Sequence, residues 1–252
     1  SGSIVMNGSS VLRATDATAR LRAATEIQVG NVVADSVSFL SGGTILNAAG
    51  STMNVTAERL RVEATGSAGT GARHLTTDIA TLAALSRTGS LYLSEADGLT
   101  VGEVSIELDG VGADATTSGV SDAVLSDVSA AQGGAVVLVS TLGDLLITDG
   151  RDGDGLGVST QGAGNLLLEA AAGSVTVRAT VQSGGGDVSI LSAGDIDFTS
   201  GASLITTAEG TLDLKADSGT LTFANNSRQI AGSGDIRMQA NGAITLGGLV
   251  RT

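Results

Sequence analysis

The chain has 252 residues, of which 42% are hydrophobic and only 2% aromatic, so its core is expected to be narrow and aliphatic. The formal net charge of −13 at pH 7 argues against nucleic acid and anionic lipid as partners, because both attract clustered Lys and Arg. The absence of cysteine excludes disulfides and thiolate metal sites, and no apolar run of about 20 residues predicts a membrane span.

Residues 1–88 show strand-like alternation without a regular repeat. The opening Ser-Gly-Ser at 1–3 is interpreted as an artificial leader, and the residues after it lack the basic and apolar regions of a signal peptide. Several short runs then alternate apolar and polar residues, as in a strand with one buried face. Their apolar pairs are Ile27/Val29, Val37/Phe39, Met53/Val55 and Leu60/Val62. We interpret 1–88 as diverged coils of the repeat that follows.

Residues 74–86 allow two interpretations. Leu75, Ile79, Leu82 and Leu85 have helical spacing, but Ile79 and Leu82 also fit a strand. A short helix and a coil with an outward loop both stay open.

Residues 89–252 contain a clear sequence repeat. Segments that start at Gly134, Gly164, Gly186, Gly210 and Gly234 read Gly-x-apolar-x-apolar-x-small, then a second glycine and two more alternating apolar positions. The first apolar column is Val136, Leu166, Val188, Leu212 and Ile236, and the second is Leu138, Leu168, Ile190, Leu214 and Met238. A shorter copy at 89–101 carries Leu91, Leu93, Leu99 and Val101. The regular steps between copies are 22 and 24 residues.

Each repeat has room for two or three short strands and no helix. A third apolar site follows at Val158, Val181, Leu204 with Ile205, and Ile230, and Val104–Leu108 is its candidate in the copy at 89–101. Such repeats fit the coils of a parallel β-helix, whose inward side chains stack on the next coil about 4.8 Å away. With about 23 residues per coil, we expect roughly ten coils in a rod on the order of 50 Å long.

Two acidic insertions interrupt the repeat, near 109–130 and 148–156. The first is the expected place for a loop that leaves the rod. The second, "TDGRDGDG", contains Asp149, Asp152 and Asp154 between glycines. Clustered carboxylates and turning backbone carbonyls suit Ca²⁺, so these aspartates are the candidate metal ligands. The alternative, a polar loop whose Gly and Asp serve only the turn, stays open. No organic cofactor is predicted.

Two stretches, 80–104 and 185–223, resemble the repeat region of filamentous-haemagglutinin-type exoproteins, which are large secreted bacterial adhesins. The second reads "GGDVSILSAGDIDFTSGASLITTAEGTLDLKADSGTLTF". The resemblance covers 89–250 well and 1–88 loosely. It implies a right-handed parallel β-helix, exposure at the cell surface and a role in attachment or display. The Asn-Pro dipeptides of that family's secretion domain are missing, because the chain has no proline.

Residues for catalysis are scarce. His74 is the only histidine and has no cysteine or second histidine for a metal pair, so a structural role is expected. Asp195 and Asp197 are expected on the outward face of one strand, about 7 Å apart. Outward positions are ordinarily polar, and few aromatics exist to stack sugars, so catalysis is not predicted. An ice-binding Thr array is also disfavoured, because Leu146 and Asp197 interrupt the column of Thr176, Thr222 and Thr245.

These observations predict a non-enzymatic segment of a large secreted or surface-attached bacterial exoprotein, acting as a rigid stalk or display surface. Its expected partners are adjacent segments of a longer polypeptide and a cell-surface glycan or protein. Neither nucleic acid nor an inserted membrane is expected. The alternative is a carbohydrate-active β-helix, resembling a polysaccharide lyase or hydrolase, or a glycan-binding module.

Overall fold

A computed structural model describes residues 2–199, 201–206 and 208–252. Ser1, part of the predicted leader, lies outside the described residues. Almost all the strand pairings are parallel, which confirms the predicted all-β parallel β-helix. The strands are β1 (Ile4–Val5), β2 (Val11–Ala23), β3 (Glu26–Val29), β4 (Asn31–Ser41), β5 (Thr44–Asn47), β6 (Val55–Ala64), β7 (Leu75–Ser86), β8 (Leu91–Glu95), β9 (Leu99–Val101), β10 (Glu103–Val111), β11 (Thr117–Ser126), β12 (Val128–Ala130), β13 (Val136–Ser140), β14 (Leu145–Ile147), β15 (Leu156–Thr160), β16 (Leu166–Ala170), β17 (Val175–Val177), β18 (Thr180–Ser183), β19 (Val188–Ser192), β20 (Ile196–Phe198), β21 (Ser203–Thr206), β22 (Leu212–Ala216), β23 (Leu221–Phe223), β24 (Arg228–Ile230), β25 (Ile236–Ala240), β26 (Ile244–Leu246) and β27 (Leu249–Arg251).

The strands stack into three faces. One face runs the length of the molecule through β2, β4, β6, β7, β12, β15, β18, β21, β24 and β27. A second runs through β8, β13, β16, β19, β22 and β25, and a third through β9, β14, β17, β20, β23 and β26. The first face has ten rungs, in agreement with the roughly ten predicted coils.

The predicted repeat columns pair in register and form the core. Val136 pairs with both Leu91 and Leu166, and the column continues through Val188 and Leu212. These five side chains are buried. The phenyl rings of Phe198 and Phe223 stack inside the third face with centroids 5.0 Å apart. The core therefore consists mainly of stacked aliphatic columns, whereas a globular domain fills its centre with large aromatic side chains.

The glycine that opens each repeat is required by a close approach between coils. A Cβ at Gly164 would collide with the carbonyl oxygen of Gly134, and one at Gly134 would collide with that of Gly89. The small inward position also has a structural role. Ser192 Oγ donates hydrogen bonds to the carbonyls of Gly173 (2.8 Å) and Asp195 (3.0 Å), which satisfies two backbone acceptors at the corner.

The coils of residues 1–88 contain longer strands. β2, β4, β6 and β7 have 10 to 13 residues each and so cover the width of two faces. The open question over 74–86 is resolved as strand β7, whose Leu75, Ile79 and Leu82 are buried. The Met53/Val55 pair was wrong, because Met53 precedes the strand and Asn54 is buried beside Val55. Asn54 Nδ2 donates to the carbonyls of Val29 (2.8 Å) and Gly30 (3.1 Å), so a polar side chain serves the turn there.

The first acidic insertion is an antiparallel hairpin of β10 and β11. Its base packs over the outer surface of β6 and β7, whereas its tip at 111–119 is exposed, as expected for a segment that leaves the rod. Val104 and Ile106 belong to this hairpin and pack on Ala83, so their prediction as the third site of a coil was wrong. Val128 of β12 occupies that site and pairs with Ala84 and Val158.

The third apolar site is confirmed at Val158, Val181 and Leu204 but not at Ile230. The ladder pairs Leu204 with Gln229, so Gln229 points into the core and Ile230 points outward. The preceding turn, in which Asn226 has a φ of 66°, sets this register. Within the described residues, neither amide atom of the buried Gln229 side chain has a partner.

Candidate functional site

The three predicted metal ligands lie in the loop between β14 and β15, at the corner between two faces. Asp149 is half-buried, whereas Asp152 and Asp154 are exposed. Gly153 and Gly155 have φ values of 72° and 79°, which let the loop reverse tightly. The backbone N–H of Gly155 donates to Asp149 Oδ2 (3.2 Å), and that of Leu156 donates to Asp154 Oδ1 (2.7 Å). The loop is thereby folded around its own carboxylates.

Asp127 completes the cluster. It lies between the hairpin and β12, and it is only 6% exposed. One ligand oxygen from each of Asp127, Asp149, Asp152 and Asp154 lies within 4.8 Å of the others. Gly150 N–H donates to Asp127 Oδ1 (3.0 Å), which joins the loop to the preceding coil. Asp149 Oδ1 is buried and has no partner within the described part of the chain.

The electrostatics of this cluster favour a bound cation. Burial, followed by the charges of Asp152, Asp154 and Asp149, raises the pKa of Asp127 to about 7. Burial and the charges of Asp152 and Asp154 also raise the pKa of Asp149. Arg151 points away, with a side chain that is 88% exposed and 3.9 Å from Glu103. Within the described residues no base forms an ion pair with these four carboxylates. Such a set suits a hard ion such as Ca²⁺, which takes many oxygen ligands in flexible geometry.

The sequence pattern gave Asp149, Asp152 and Asp154 but missed Asp127. The four do not share a spacing motif, because Asp127 precedes the strand of the neighbouring coil. The repeat offered one signal that could have found it: Asp127 stands directly before Val128, which stacks below Val158. The stacking of coils, and not local sequence, brings Asp127 to the loop.

Asp78 and Asp97 line a groove of about 640 Å³ on the outer surface near the N-terminal coils, and the buried Glu95 lies next to them. Ligand oxygens of Asp78, Glu95 and Asp97 lie within 4.8 Å of one another. The fully buried Glu95 accepts hydrogen bonds from Thr77 Oγ1 (2.5 Å) and from the backbone N–H of Ile79 (3.0 Å). Burial raises the pKa of Glu95, although these donors oppose the rise. Since its oxygens are already bonded, we assign Glu95 a structural role.

The two aspartates of "GDIDF" have different surroundings. Asp197 points outward from β20, as predicted, but Asp195 lies in the turn before that strand. Asp195 Oδ1 accepts hydrogen bonds from the backbone N–H (2.6 Å) and the hydroxyl (3.0 Å) of Thr220. These bonds lower the pKa of Asp195. It ties two coils together, so the pair does not form two free carboxylates on one strand.

His74 lies against a neighbouring side chain, and the outward threonine column is interrupted. His74 Nδ1 is 3.0 Å from Ser94 Oγ, and burial lowers the pKa of the imidazole. The outward column runs Leu146, Thr176, Asp197, Thr222 and Thr245, so the threonine array is interrupted as the alignment predicted.

Comparison with known proteins found no matching protein-family profile, curated protein or solved structure. Among the described residues, no helical segment has the length and apolar character that a membrane crossing requires.

Proposed function

We propose that this chain is a non-enzymatic, rigid segment of a large secreted or surface-attached bacterial exoprotein, which serves as a stalk or display surface. The observation that supports it best is the ladder of ten rungs in register along one face, from β2 to β27. A stack of parallel rungs spreads stability along its length, as a stalk requires. The resemblance of 89–250 to haemagglutinin-type repeats supports the same role.

The last coil supports a stacking partner at that end. Leu221 and Phe223 are 0% and 1% exposed, but Ile244 and Leu246, directly above them in the same columns, are 43% and 55% exposed. An apolar strand edge of this kind is a template for another coil. The proposed neighbour is an adjacent β-helical segment of the same polypeptide.

Two of the carboxylates considered for catalysis are bonded within the rod, which supports a non-enzymatic role over the carbohydrate-active alternative, although Asp78 and Asp97 do line one groove. A hydrolase needs two carboxyl groups that converge on a cleft and stay free to exchange protons. Asp195 is bonded to Thr220 and Glu95 to Thr77, so each already holds two coils together.

Antibody labelling of the bacterium that produces this protein tests the proposed function. Antibodies against this segment should label intact cells and detect the protein in culture supernatant, and deletion of the gene should reduce attachment to surfaces. Labelling only after cell lysis would contradict the proposal. Purified protein incubated with a panel of polysaccharides should release no new reducing ends, and a measurable product would favour the enzyme instead.

A further inference from the structure

The only tyrosine of the chain, Tyr92, stands at one end of a shallow cleft of about 430 Å³ on the outer surface of the rod. The floor of the cleft is aliphatic. Tyr92, Val137 and Leu167 are successive outward residues of β8, β13 and β16, and each is half-buried. Outward positions on a solenoid are ordinarily polar. A tyrosine followed by aliphatic side chains on the next two rungs therefore distinguishes this surface from the usual exterior of a rod.

The Tyr92 ring is held in place from behind. The His74 imidazole packs against it with ring centroids 5.7 Å apart and an interplanar angle of 30°. His74 is in turn 3.0 Å from Ser94 Oγ. Gly71 lies behind the ring, where an added Cβ would be 3.6 Å from the ring edge. The ring is therefore oriented before any ligand arrives, which lowers the entropic cost of binding.

Two exposed polar side chains border the apolar floor. Asn165 Oδ1 accepts the backbone N–H of Asp187 (2.9 Å), so its Nδ2 donors face solvent. Asp187 Oδ1 accepts the backbone N–H of Thr211 (2.9 Å), and its second oxygen has no partner in the part of the chain that the structure describes. The two residues occupy adjacent rungs, since Leu166 N–H donates to the Asp187 carbonyl. An amide donor and a carboxylate acceptor thus stand about 4.8 Å apart at the other end of the cleft, two and three rungs from Tyr92, which is on the order of 10 to 14 Å along the rod.

We propose that this cleft binds a neutral oligosaccharide. One face of a pyranose ring presents C–H groups, which would cover Tyr92 and the aliphatic floor. The hydroxyls of the next sugar unit, further along the rod, both donate and accept, so they match Asn165 Nδ2 and Asp187. The carboxylate of Asp187 and the net charge of −13 disfavour uronic and sialic acids. The proposal goes beyond the stalk function and does not depend on it, because a rod without glycan affinity would still serve as a stalk.

Tyrosine fluorescence tests the proposal, because the chain has no tryptophan and Tyr92 alone emits. The protein is titrated with cellobiose, lactose, maltose and diacetylchitobiose, with trigalacturonate as the acidic comparison. At least one neutral disaccharide should change the emission and give saturation-transfer signals in NMR. If none of the four does so at millimolar concentration, the proposal is overturned.

Variants of the cleft residues test whether the sugar binds there. Their affinities are measured from the saturation-transfer NMR signal. Tyr92→Ala, Asn165→Ala and Asp187→Asn should each weaken binding by about tenfold, whereas Tyr92→Phe should stay within about threefold of the original. Leu167→Ala should weaken binding, and its matched control Leu146→Ala, an outward leucine on another face, should not. Asn165 and Asp187 lie at exposed corners. If neither Asn165→Ala nor Asp187→Asn weakens binding, the proposal is overturned. Tighter binding of trigalacturonate would also overturn it.

Discussion

Asp122 on the hairpin lies 2.6 Å from the guanidinium of Arg20, a residue 102 positions earlier in the chain. The same carboxylate accepts the Ser38 hydroxyl at 2.7 Å, and Arg61 Nε donates to the adjacent carbonyl of Ala123 at 2.8 Å. Arg20, Ser38 and Arg61 form one outward column on β2, β4 and β6. The hairpin is thus fastened across three coils.

Asp122→Ala is expected to destabilise the protein by about 2 to 4 kcal/mol, because it leaves the mostly buried Arg20 without its partner. The free energy of unfolding in urea measures the effect. Asp109→Ala, on the exposed part of the same hairpin, is the matched control and should change stability by less than about 0.5 kcal/mol. Equal stability of the two variants would show that the hairpin is not held by this ion pair.

The Asp122 contact should also depend on pH. Burial alone would raise the pKa of Asp122, but hydrogen bonds from Arg20 and Ser38 and the nearby positive charges hold it below its ordinary value. A carboxyl with a lowered pKa in the folded state stabilises the protein fully above the pKa of the unfolded chain, near 3.9. That contribution is lost as the pH falls through the lower folded value.

The difference in unfolding free energy between the wild type and Asp122→Asn should therefore be constant from about pH 5 to pH 7 and shrink below about pH 4. Urea titrations at several pH values measure it. A difference that grows on acidification would have the wrong sign for this mechanism.

Calcium is expected to stabilise the protein through Asp127, Asp149, Asp152 and Asp154. At a calcium concentration ten times the dissociation constant, the gain is about 1.4 kcal/mol. The raised pKa of Asp127, about 7, means that the ion-free protein loses stability as the pH rises from about 4 to about 7. Because metal binding needs ionised carboxylates, the gain from calcium should be larger at pH 8 than at pH 6.

Melting temperatures with calcium and with chelator, together with calorimetry, check this prediction. Asp127→Asn and Asp152→Asn should abolish the difference between the two conditions. Asp235→Asn, an exposed aspartate on a distant corner, is the control and should keep it. An unchanged melting temperature with no heat of binding would leave the polar-loop interpretation of 148–156.

Gln229→Leu is expected to raise the free energy of unfolding by about 1 to 2 kcal/mol. Gln229 is fully buried in the column that contains Val181 and Leu204, and its amide has no partner within the described residues. Leucine would continue the aliphatic stack without burying an unbonded polar group. Urea denaturation of both proteins measures the gain.

Gln182→Leu, on the outward side of β18, is the matched control and should change stability by less than about 0.5 kcal/mol. A loss of stability in Gln229→Leu would indicate that the buried amide has a bonding role in the folded protein.

The sequence alone determined the coil. Alternating apolar residues, a glycine at each corner and a step of 22 to 24 residues predicted which side chains point inward, and Val136, Leu166 and Val188 do stack in one buried column. The period of two along a strand and the need to bury one face leave little freedom there. Met53 failed because it precedes the strand, and Ile230 failed because the turn before it shifted the register by one residue; local alternation reveals neither.

Only the tertiary structure decided what meets on the outside of the coil. Asp127 joins Asp149, Asp122 reaches Arg20, and Tyr92 comes to lie on the same surface as Asn165 and Asp187. These residues are separated by 22 to 102 positions, and inserted segments of irregular length lie between some of them. Their neighbours are set by how coils stack and where a hairpin folds back. The core follows from a local period, whereas each candidate site follows from contacts between coils.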